Sequence, residues 1–550
     1  MKMYSLIQKC IEKLGGFVWG LPTLFLIVIT GIGMSRGNRF FQFRHFSHWM
    51  KNTIGTLVGK RETKSKSDIR EISGFQAVCS ALASTIGTGN ISGVAMAIAT
   101  GGPGAVFWMW VSALFGMMTS YSEIVLGMHY RTKDISGRWC GGPMYYLRDG
   151  LGKRKGMRYV GKILAVMFCI FCIFASFGMG NMTQVNSISK IIRSDYGVSS
   201  LYTGIFIACI SSFIIFGGIK RIGAIMEKFV PAMSVFYIAC TLMIFLMNFK
   251  SIPYVFTSIF KNAFSTRSIL GGAGGLAIKQ SISLGFKRGI FSNEAGLGSG
   301  VIMHASSDTK EPVIQGMWGI FSVFTDTIVI CTLTAFVILS TTCRPVTISK
   351  GLENVSDNTT YVSVKDDVKG EIPLADTVAN PIFVKSKKGE MLFKPSDTNY
   401  TYTNIMALKG LREDKNGNIT TDKNVPVTRV VLEEVEGASL VAYAFGLKLG
   451  KWSEKLLSVS IILFAFSTVI GWSYYGEKAW EFLFGSSFSA IYKMLYIFCI
   501  VLGSVMSLKT VWEISDIFNG LMSVPNLIGL IGCSSVVFKI TDEYVKRNIK

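Results

Sequence analysis

Two stretches of the chain set glycines, hydroxyls and amides within otherwise apolar surroundings. The first is Ala81-Leu-Ala-Ser-Thr-Ile-Gly87-Thr88-Gly89-Asn90-Ile-Ser92-Gly93. The second is Gly285-Phe-Lys287-Arg288-Gly289-Ile-Phe-Ser292-Asn293-Glu294-Ala-Gly296-Leu-Gly298-Ser299. Each interrupts a run long enough to cross a hydrocarbon core of ~30 Å. Unwound backbone at that depth is tolerated only where it lines a cavity, because its freed N–H and C=O groups need partners. Half-helix N-termini at such breaks offer N–H groups and a positive dipole end to a carboxylate, while exposed carbonyls coordinate a cation. The chemistry expected of Gly87, Thr88, Gly89 and Asn90, and of Gly289, Ser292 and Asn293, is therefore ligand binding. Close helix packing of the GxxxG kind would explain the glycines but not Asn90, Asn293 or Glu294.

The elements that carry these residues must be membrane helices. Of 550 residues, 50% are hydrophobic and 16% charged, and the mean hydropathy is +0.43, which excludes a multidomain soluble enzyme. Apolar length and flanking charge place eleven spans at roughly 17–35, 75–99, 104–129, 159–180, 201–218, 227–248, 272–304, 313–341, 454–475, 486–506 and 512–539. The first exceeds the apolar length of a signal peptide and no A-x-A site follows it, so it reads as a span. Spans two to six and seven to eleven form two sets of five, each opened by a broken helix. Five is odd, so the sets face oppositely. Interrupted spans in corresponding positions of two halves are the sequence pointer to a secondary transporter. The expected fold is an all-α polytopic membrane protein of about 11 transmembrane helices. It comprises a 5+5 inverted repeat with two broken helices, plus one extra N-terminal helix.

The net charge of +22 would point to nucleic acid in a soluble protein. Here the cations fall between the spans: nine Lys and Arg lie within 35–71 and nine more within 129–162. Both loops are expected inside, with the N-terminus outside and the tail Lys546, Arg547 and Lys550 cytoplasmic. The charge marks topology in a plasma membrane and contact with anionic lipid, and no nucleic acid is expected. Cys169, Cys172, Cys209, Cys240, Cys331, Cys499 and Cys533 lie inside apolar segments and read as small buried hydrophobes. The Cys169–Cys172 spacing lacks a redox loop and further metal ligands.

Residues 344–436 are polar and rich in Thr, Val and Asn. Turn signals at Lys388-Gly389 and Asn416-Gly417 separate β-prone runs such as Met391–Phe393 and Val427–Leu432. The interval reads as a small, β-rich extracellular insert dividing the chain into 1–343, 344–436 and 437–550. Asp414 to Asn418 lacks the closing carboxylate of a calcium loop and reads as a hairpin turn.

Four motifs make the chain recognisable. Ile86-Gly-Thr-Gly-Asn-Ile-Ser-Gly-Val94, Gly141-Gly-Pro-Met-Tyr-Tyr146, the stretch Gly285–Ser299 and Phe464-Ala-Phe-Ser-Thr-Val-Ile-Gly-Trp-Ser-Tyr-Tyr-Gly-Glu477 resemble the alanine or glycine:cation symporter family. The resemblance covers nearly all of 17–343 and 437–539 and implies a leucine-transporter-type fold of ten core helices. The polar block 344–436 departs from it, since the family has a short loop there.

Residue by residue, the resemblance makes Gly87–Asn90 the turn whose amides hold an amino-acid carboxylate, with the second broken helix closing over the substrate. Ala83 and Ile86 match positions whose carbonyls face a sodium ion, and Ser467 and Thr468 match its hydroxyl ligands on the eighth core helix. Sodium prefers hard oxygen ligands, so this set suits it. Bonding of the two hydroxyls to their own helix carbonyls is the competing reading. Trp472 would wall the site and limit side-chain size, unless it is an interfacial tryptophan. Glu123 and Glu294 are ionisable groups at membrane depth, with Lys287 and Arg288 as candidate partners.

The implied function is import of a small neutral amino acid, alanine or glycine, with sodium by alternating access; proton coupling is the alternative. A channel would need one continuous polar path. A membrane enzyme would need a catalytic cluster, which four His residues and no Cys/His or carboxylate set do not supply.

Overall fold

The computed structural model describes residues 13–58, 72–135, 137–264, 274–341, 438–506 and 508–549, together with seven short strands between 359 and 435. In chain order we label α1 (Leu21–Gly37), α2 (Gly74–Thr85), α3 (Ser92–Gly101), α4 (Gly104–His129), α5 (Arg158–Phe177), α6 (Thr183–Tyr196), α7 (Ser200–Ile215) and α8 (Gly218–Met247). There follow α9 (Gly274–Asn293), α10 (Ser299–Ala305), α11 (Pro312–Val323), α12 (Thr332–Thr341), α13 (Lys451–Phe484), α14 (Ser489–Val505), α15 (Leu508–Gly532) and α16 (Ser534–Asn548).

Among the described residues, seven helices are long and apolar enough to cross a membrane, and two bent pairs raise the number to nine. The protein is a polytopic membrane protein. Two of the eleven expected spans fall short by this measure, for visible reasons. The helix α7 has only 16 residues, and α9 carries Lys279, Lys287 and Arg288.

The final expected span, 512–539, needs correction. Its apolar run ends at Gly532, where the chain bends by 59° into α16. That helix carries Lys539, Asp542, Glu543, Lys546 and Arg547, charges that do not belong in hydrocarbon.

Both expected breaks are present, each with a local cause. The helix α2 opens on a capping box: the Ser73 hydroxyl accepts from the Gln76 amide at 3.1 Å, and the Gln76 side chain accepts from the Ser73 amide at 3.2 Å. It ends at Ile86. Gly87 is extended, Thr88–Asn90 form a single 3₁₀ turn, and α3 departs at 52°. The second break follows Asn293, where Glu294 (φ 57°), Gly296 (φ 91°) and Gly298 (φ 77°) all take left-handed backbone. Glycine adopts this region freely, whereas at Glu294 it stores strain.

Two further irregularities border the breaks. The helices α5 and α6 form one span through a π-helical turn at Gly178–Met182, and α11 and α12 are joined through another at Phe324–Cys331. Such bulges re-aim side chains and recur at functional sites.

Four of the five members of one helix set pack against their counterparts in the other. The first broken helix lies against the second, α4 against α11, α5 against α13 and α7 against α14. Small residues make the helix crossings around α4 close. A Cβ on Gly285 would collide with Trp108, one on Gly316 with Tyr121, and one on Gly127 with the Val301 side chain.

The loops segregate to two ends. At one, Arg39 meets Asp542 at 3.5 Å, His48 meets Tyr544 at 3.1 Å, Arg547 meets Glu311 at 3.2 Å, and Ile72 bridges Ser307. The Arg131 guanidinium donates there to the carbonyls of Ser307 (2.6 Å) and Thr309 (2.7 Å). The described parts of both basic loops thus share this end. At the other, the Asn186 amide donates to the carbonyls of Gly503 and Met506.

Within 344–436 the described strands pair antiparallel. Ile382–Ser386 pairs with Gly389–Pro395, which also pairs with Thr359–Ser363; Leu411–Glu413 pairs with Ile419–Thr421. The two expected hairpin turns fall between paired strands, although Lys388, Asn416 and the run Val427–Leu432 lie outside the described residues. The nine described cysteines are free, Cys169 and Cys172 included.

Overpacking the α4–α10 contact tests this arrangement. Gly127→Leu should cost about 1–3 kcal/mol and lower the melting temperature of detergent-purified protein. Gly300→Ala on the same partner helix meets nothing within 4 Å and should melt as the parent does. Equal melting of both variants would refute the packing.

Candidate functional site

The first break frees backbone groups that the surrounding helices then satisfy. In a continuous helix the Gly87 amide would donate to the Ala83 carbonyl. It donates instead to the Asn90 side-chain oxygen at 3.0 Å. The Ala83 carbonyl is met by two hydroxyls of α13, Thr468 at 3.0 Å and Ser467 at 3.3 Å. Both hydroxyls also reach the Phe464 carbonyl of their own helix, at 3.1 and 2.8 Å. The bonding to their own helix is therefore present, together with a contact to the first broken helix. Ile86 closes α2 with its amide on the Leu82 carbonyl at 2.8 Å. Gly87 sits so close to α13 that a Cβ there would lie 2.5 Å from the Thr468 hydroxyl.

One turn on, the Thr88 amide and hydroxyl both donate to Gln184 Oε1 of α6, at 3.3 and 2.9 Å. A neutral amide oxygen is thus accommodated at the turn. Gly89 brings this turn against the second broken helix: its missing Cβ would lie 3.3 Å from both the Phe291 ring and the Ser292 Cα.

A single carboxylate joins the two breaks. Asp326, in the π-helical turn between α11 and α12, accepts from the Asn90 amide at 2.5 Å, from the Ser292 hydroxyl at 2.7 Å and from the Thr327 hydroxyl at 2.8 Å. Asn293 adds to the cluster by donating to Thr327 at 2.9 Å, while its own oxygen caps the Ala295 amide at 3.0 Å. Gly289 has a different surrounding: its missing Cβ faces Ser112 of α4, so it makes the α9–α4 contact.

Trp472 is fully buried, which excludes an interfacial position. Its indole N–H donates to Glu294 at 2.8 Å, and Ser299 donates to the other oxygen of that carboxylate at 2.6 Å. The left-handed Glu294 backbone turns the side chain toward α13, and the missing side chain of Gly180 makes room for the indole.

The expected pairing of Lys287 and Arg288 with Glu123 or Glu294 is not what forms. Both cations bind Asp516 of α15: Lys287 at 2.7 Å, and Arg288 bidentate at 3.0 and 3.2 Å. The Arg288 guanidinium also covers the Trp512 ring at 4.8 Å. These residues precede the break, whereas Glu294 is turned away by it. Glu123 binds Asn526, which also holds the Gly296 carbonyl and accepts from Tyr146.

Sequence reasoning thus missed Gln184, Asp326, Asp516 and Asn526. Asp326 carried the same signal as Glu123, a lone carboxylate in an apolar span. Gln184 and Asn526 sit on uninterrupted helices, and only the fold brings them to the breaks.

The Sodium:alanine symporter family model matches residues 3–369 and 420–550, leaving 370–419 unmatched within the polar block. Sodium/alanine symporter AgcS of Methanococcus maripaludis is 36% identical over 97% of this chain and 96% of its own length. An uncharacterized transporter of Haemophilus influenzae is 34% identical over 98% and 97%. Amino-acid carrier protein AlsT of Bacillus subtilis is 31% identical over 99% and 94%.

The closeness of the two breaks yields a stability test. Gly89→Val places branched carbons against Phe291 and Ser292 and should destabilise the purified protein by about 1–3 kcal/mol. Gly93→Ala, whose new carbon would lie 3.9 Å from Arg288, should be tolerated. Equal melting of the two would show that the breaks do not touch.

Proposed function

The chain belongs to the sodium:alanine symporter family, and from that premise and the geometry of the breaks we propose that it imports a small neutral amino acid, alanine or glycine, with sodium by alternating access. The observation that carries the proposal is the Ala83 carbonyl, released by the helix break and met by the hydroxyls of Ser467 and Thr468. Carbonyl and hydroxyl oxygens are hard, neutral ligands that suit sodium, and they come from two different helices. Sodium between them, with Ile86 beside it, would tie the first broken helix to α13 and favour the state that accepts substrate.

The Gly87–Asn90 turn is the site proposed for the substrate carboxylate. Thr88 supports this, because its amide and hydroxyl already converge on one oxygen of Gln184. A carboxylate arriving there would displace Gln184 from Thr88. Ser292 and Asn293 on the second broken helix would close over it, with Trp472 as a wall that admits only small side chains.

Packing of four equivalent pairs of the two helix sets supports an inverted repeat, since a two-fold relation can bring equivalent elements together near the axis. The shared basic end supports a cytoplasmic placement of Arg39, Arg131 and the C-terminus in the plasma membrane, with the N-terminus outside. Closure would alternate between that end and the other. Arg131 clasps the loop after α10 at the basic end, and Lys287 and Arg288 hold α9 to α15 nearer the opposite one. The interval 344–436 would then be an extracellular accessory insert.

The ion site is tested by sodium activation of labelled alanine uptake into proteoliposomes. Thr468→Ala should raise the sodium concentration for half-maximal uptake by roughly tenfold, about 1.4 kcal/mol, with uptake recovering at saturating sodium. Coupling is reciprocal, so alanine affinity should also become less sensitive to sodium. Activation curves of Thr468→Ala and Ser467→Ala that overlay the parent would remove these hydroxyls from the site.

The insert is tested by replacing 346–434 with a short linker. Sodium-driven uptake should persist at a similar rate per inserted molecule, and its loss in correctly inserted protein would make the insert part of the transport machinery.

A further inference from the structure

At the end away from the basic loops, and apart from both helix breaks, α6, α7 and α14 enclose a pocket of about 460 Å³. Its wall on α6 is Asn186, Lys190 and Arg193, whose spacing of four and three residues puts them on one face of that helix. The hydroxyls of Ser199 and Ser200 at the start of α7, and of Ser504 near the end of α14, complete the polar lining. No acidic side chain is among the described residues that line the space. The Arg193 side chain, exposed, makes no ion pair among them either.

Two features of the wall are unfinished. Asn186 is 1% exposed, and its amide donates to the carbonyls of Gly503 and Met506 at 2.9 and 2.7 Å, which ties the end of α14 to α6. Those two acceptors fix which way the amide points, so its oxygen cannot be exchanged for the nitrogen. That oxygen is buried without a partner among the described residues, and a buried acceptor left so points to a missing donor. Ser199 holds the N-cap position of α7 but makes no capping bond, so its hydroxyl and the first-turn amides remain for an anion.

The pocket opens where the apolar face of the protein begins. Leu201 and Val505 line it and are also exposed. From them, exposed apolar side chains continue along both helices: Ile205 and Phe206 on α7, Leu502 and Phe498 on α14. Tyr196 and Tyr202, exposed on either side of the α6–α7 turn, are of the type that marks headgroup level. A soluble anion would meet the cations and leave the apolar flank bare. An amphiphile covers both.

We propose that this pocket holds the headgroup of an anionic phospholipid of the phosphatidylglycerol type, from the leaflet opposite the basic loops, with its acyl chains along the exposed faces of α7 and α14. The phosphate goes to Lys190, Arg193 and the start of α7, and a headgroup hydroxyl supplies the donor that the Asn186 oxygen lacks. A hydroxylated headgroup fits better than an ammonium one, because the lining carries two positive charges and offers no carboxylate among the described residues. The bound lipid adds to the Asn186 clasp and braces α6, the helix whose Gln184 holds Thr88 at the first break. The site stands apart from the symport reading, since lipid binding is measured without transport.

The experiment uses full-length protein purified in detergent and stripped of lipid. Native mass spectrometry counts bound lipid, and the melting temperature is followed as phosphatidylglycerol, phosphatidylethanolamine or inorganic phosphate is added. The parent should retain phosphatidylglycerol in preference to phosphatidylethanolamine and melt higher with it, while inorganic phosphate at equal concentration should not stabilise it. The double variant Lys190→Gln, Arg193→Gln should bind phosphatidylglycerol about thirtyfold more weakly, roughly fivefold for each cation. The same loss of charge at the basic end, Lys153→Gln with Lys155→Gln at two exposed lysines, should leave the tightest-bound lipid in place. Should the first double variant fail to fold, Arg193→Gln alone carries the test with a loss of about fivefold.

Equal retention of the two lipids by the parent would overturn the proposal. So would stabilisation by inorganic phosphate equal to that by the lipid, which would make the pocket a site for a soluble anion. Equal weakening in the pocket and basic-end double variants would overturn it as well, because net charge alone would then hold the lipid. Pocket variants that bind phosphatidylglycerol as the parent does would remove Lys190 and Arg193 from any such site.

Discussion

A backbone carbonyl freed inside a membrane has no water to satisfy it, and the Ala83 carbonyl is such a group. Its helical donor, the Gly87 amide, has been taken by the Asn90 side chain. Leaving the carbonyl bare would cost several kcal/mol, so α13 must approach closely enough for Ser467 and Thr468 to reach it. That approach requires Gly87, since a Cβ would strike Thr468, and it requires Gly471, whose missing Cβ makes room for Ser84. One unsatisfied oxygen thereby fixes the spacing between the first broken helix and α13.

The same accounting spreads outward. The Thr88 amide needs an acceptor and finds Gln184; the Gly296 carbonyl needs a donor and finds Asn526. The side chains that close the two breaks are amides and hydroxyls, some from the broken helices themselves and some borrowed from unbroken neighbours. These act as adaptable partners: each can release a backbone group to a ligand and take it back, which a continuous helical ladder cannot do. A site that must load and unload is better served by such partners than by saturated backbone bonds.

How much of this was legible in the sequence follows from where each signal resides. The breaks were readable because Gly-Thr-Gly-Asn and Asn-Glu-Ala-Gly-Leu-Gly are local departures from an apolar run. The adjacent hydroxyls Ser467 and Thr468 were readable only through resemblance, since hydroxyls on a helix usually bond their own carbonyls, and here they do that too. Asp516 stayed hidden because its partner choice is decided three-dimensionally: the left-handed turn at Glu294 swings that carboxylate toward Trp472 and leaves Lys287 and Arg288 to α15. The bend before α16 escaped because hydropathy averages over a window and blurs a single-residue hinge at Cys533.

The two ends of the second broken helix are held by different chemistry, and the difference bears on how it moves. Toward the basic end, the Arg131 guanidinium grips the carbonyls of Ala305, Ser307 and Thr309 while stacking 4.1 Å above Trp139. These three carbonyls are neutral acceptors, and Arg131 is only partly buried, so water can reach them as they separate. At α15, two cations share one carboxylate, with Asp516 almost fully buried and Arg288 lying over the Trp512 ring. Separating that cluster strands charges in a dry setting, and stranding one buried charge costs about 3–5 kcal/mol. Opening at the α15 contact therefore needs solvent to enter as the helices part, whereas the basic end yields one hydrogen bond at a time. The second broken helix is thus held by a buried charge cluster before its break and by hydrogen bonds from a partly exposed arginine after it, with the left-handed Glu294 turn between them.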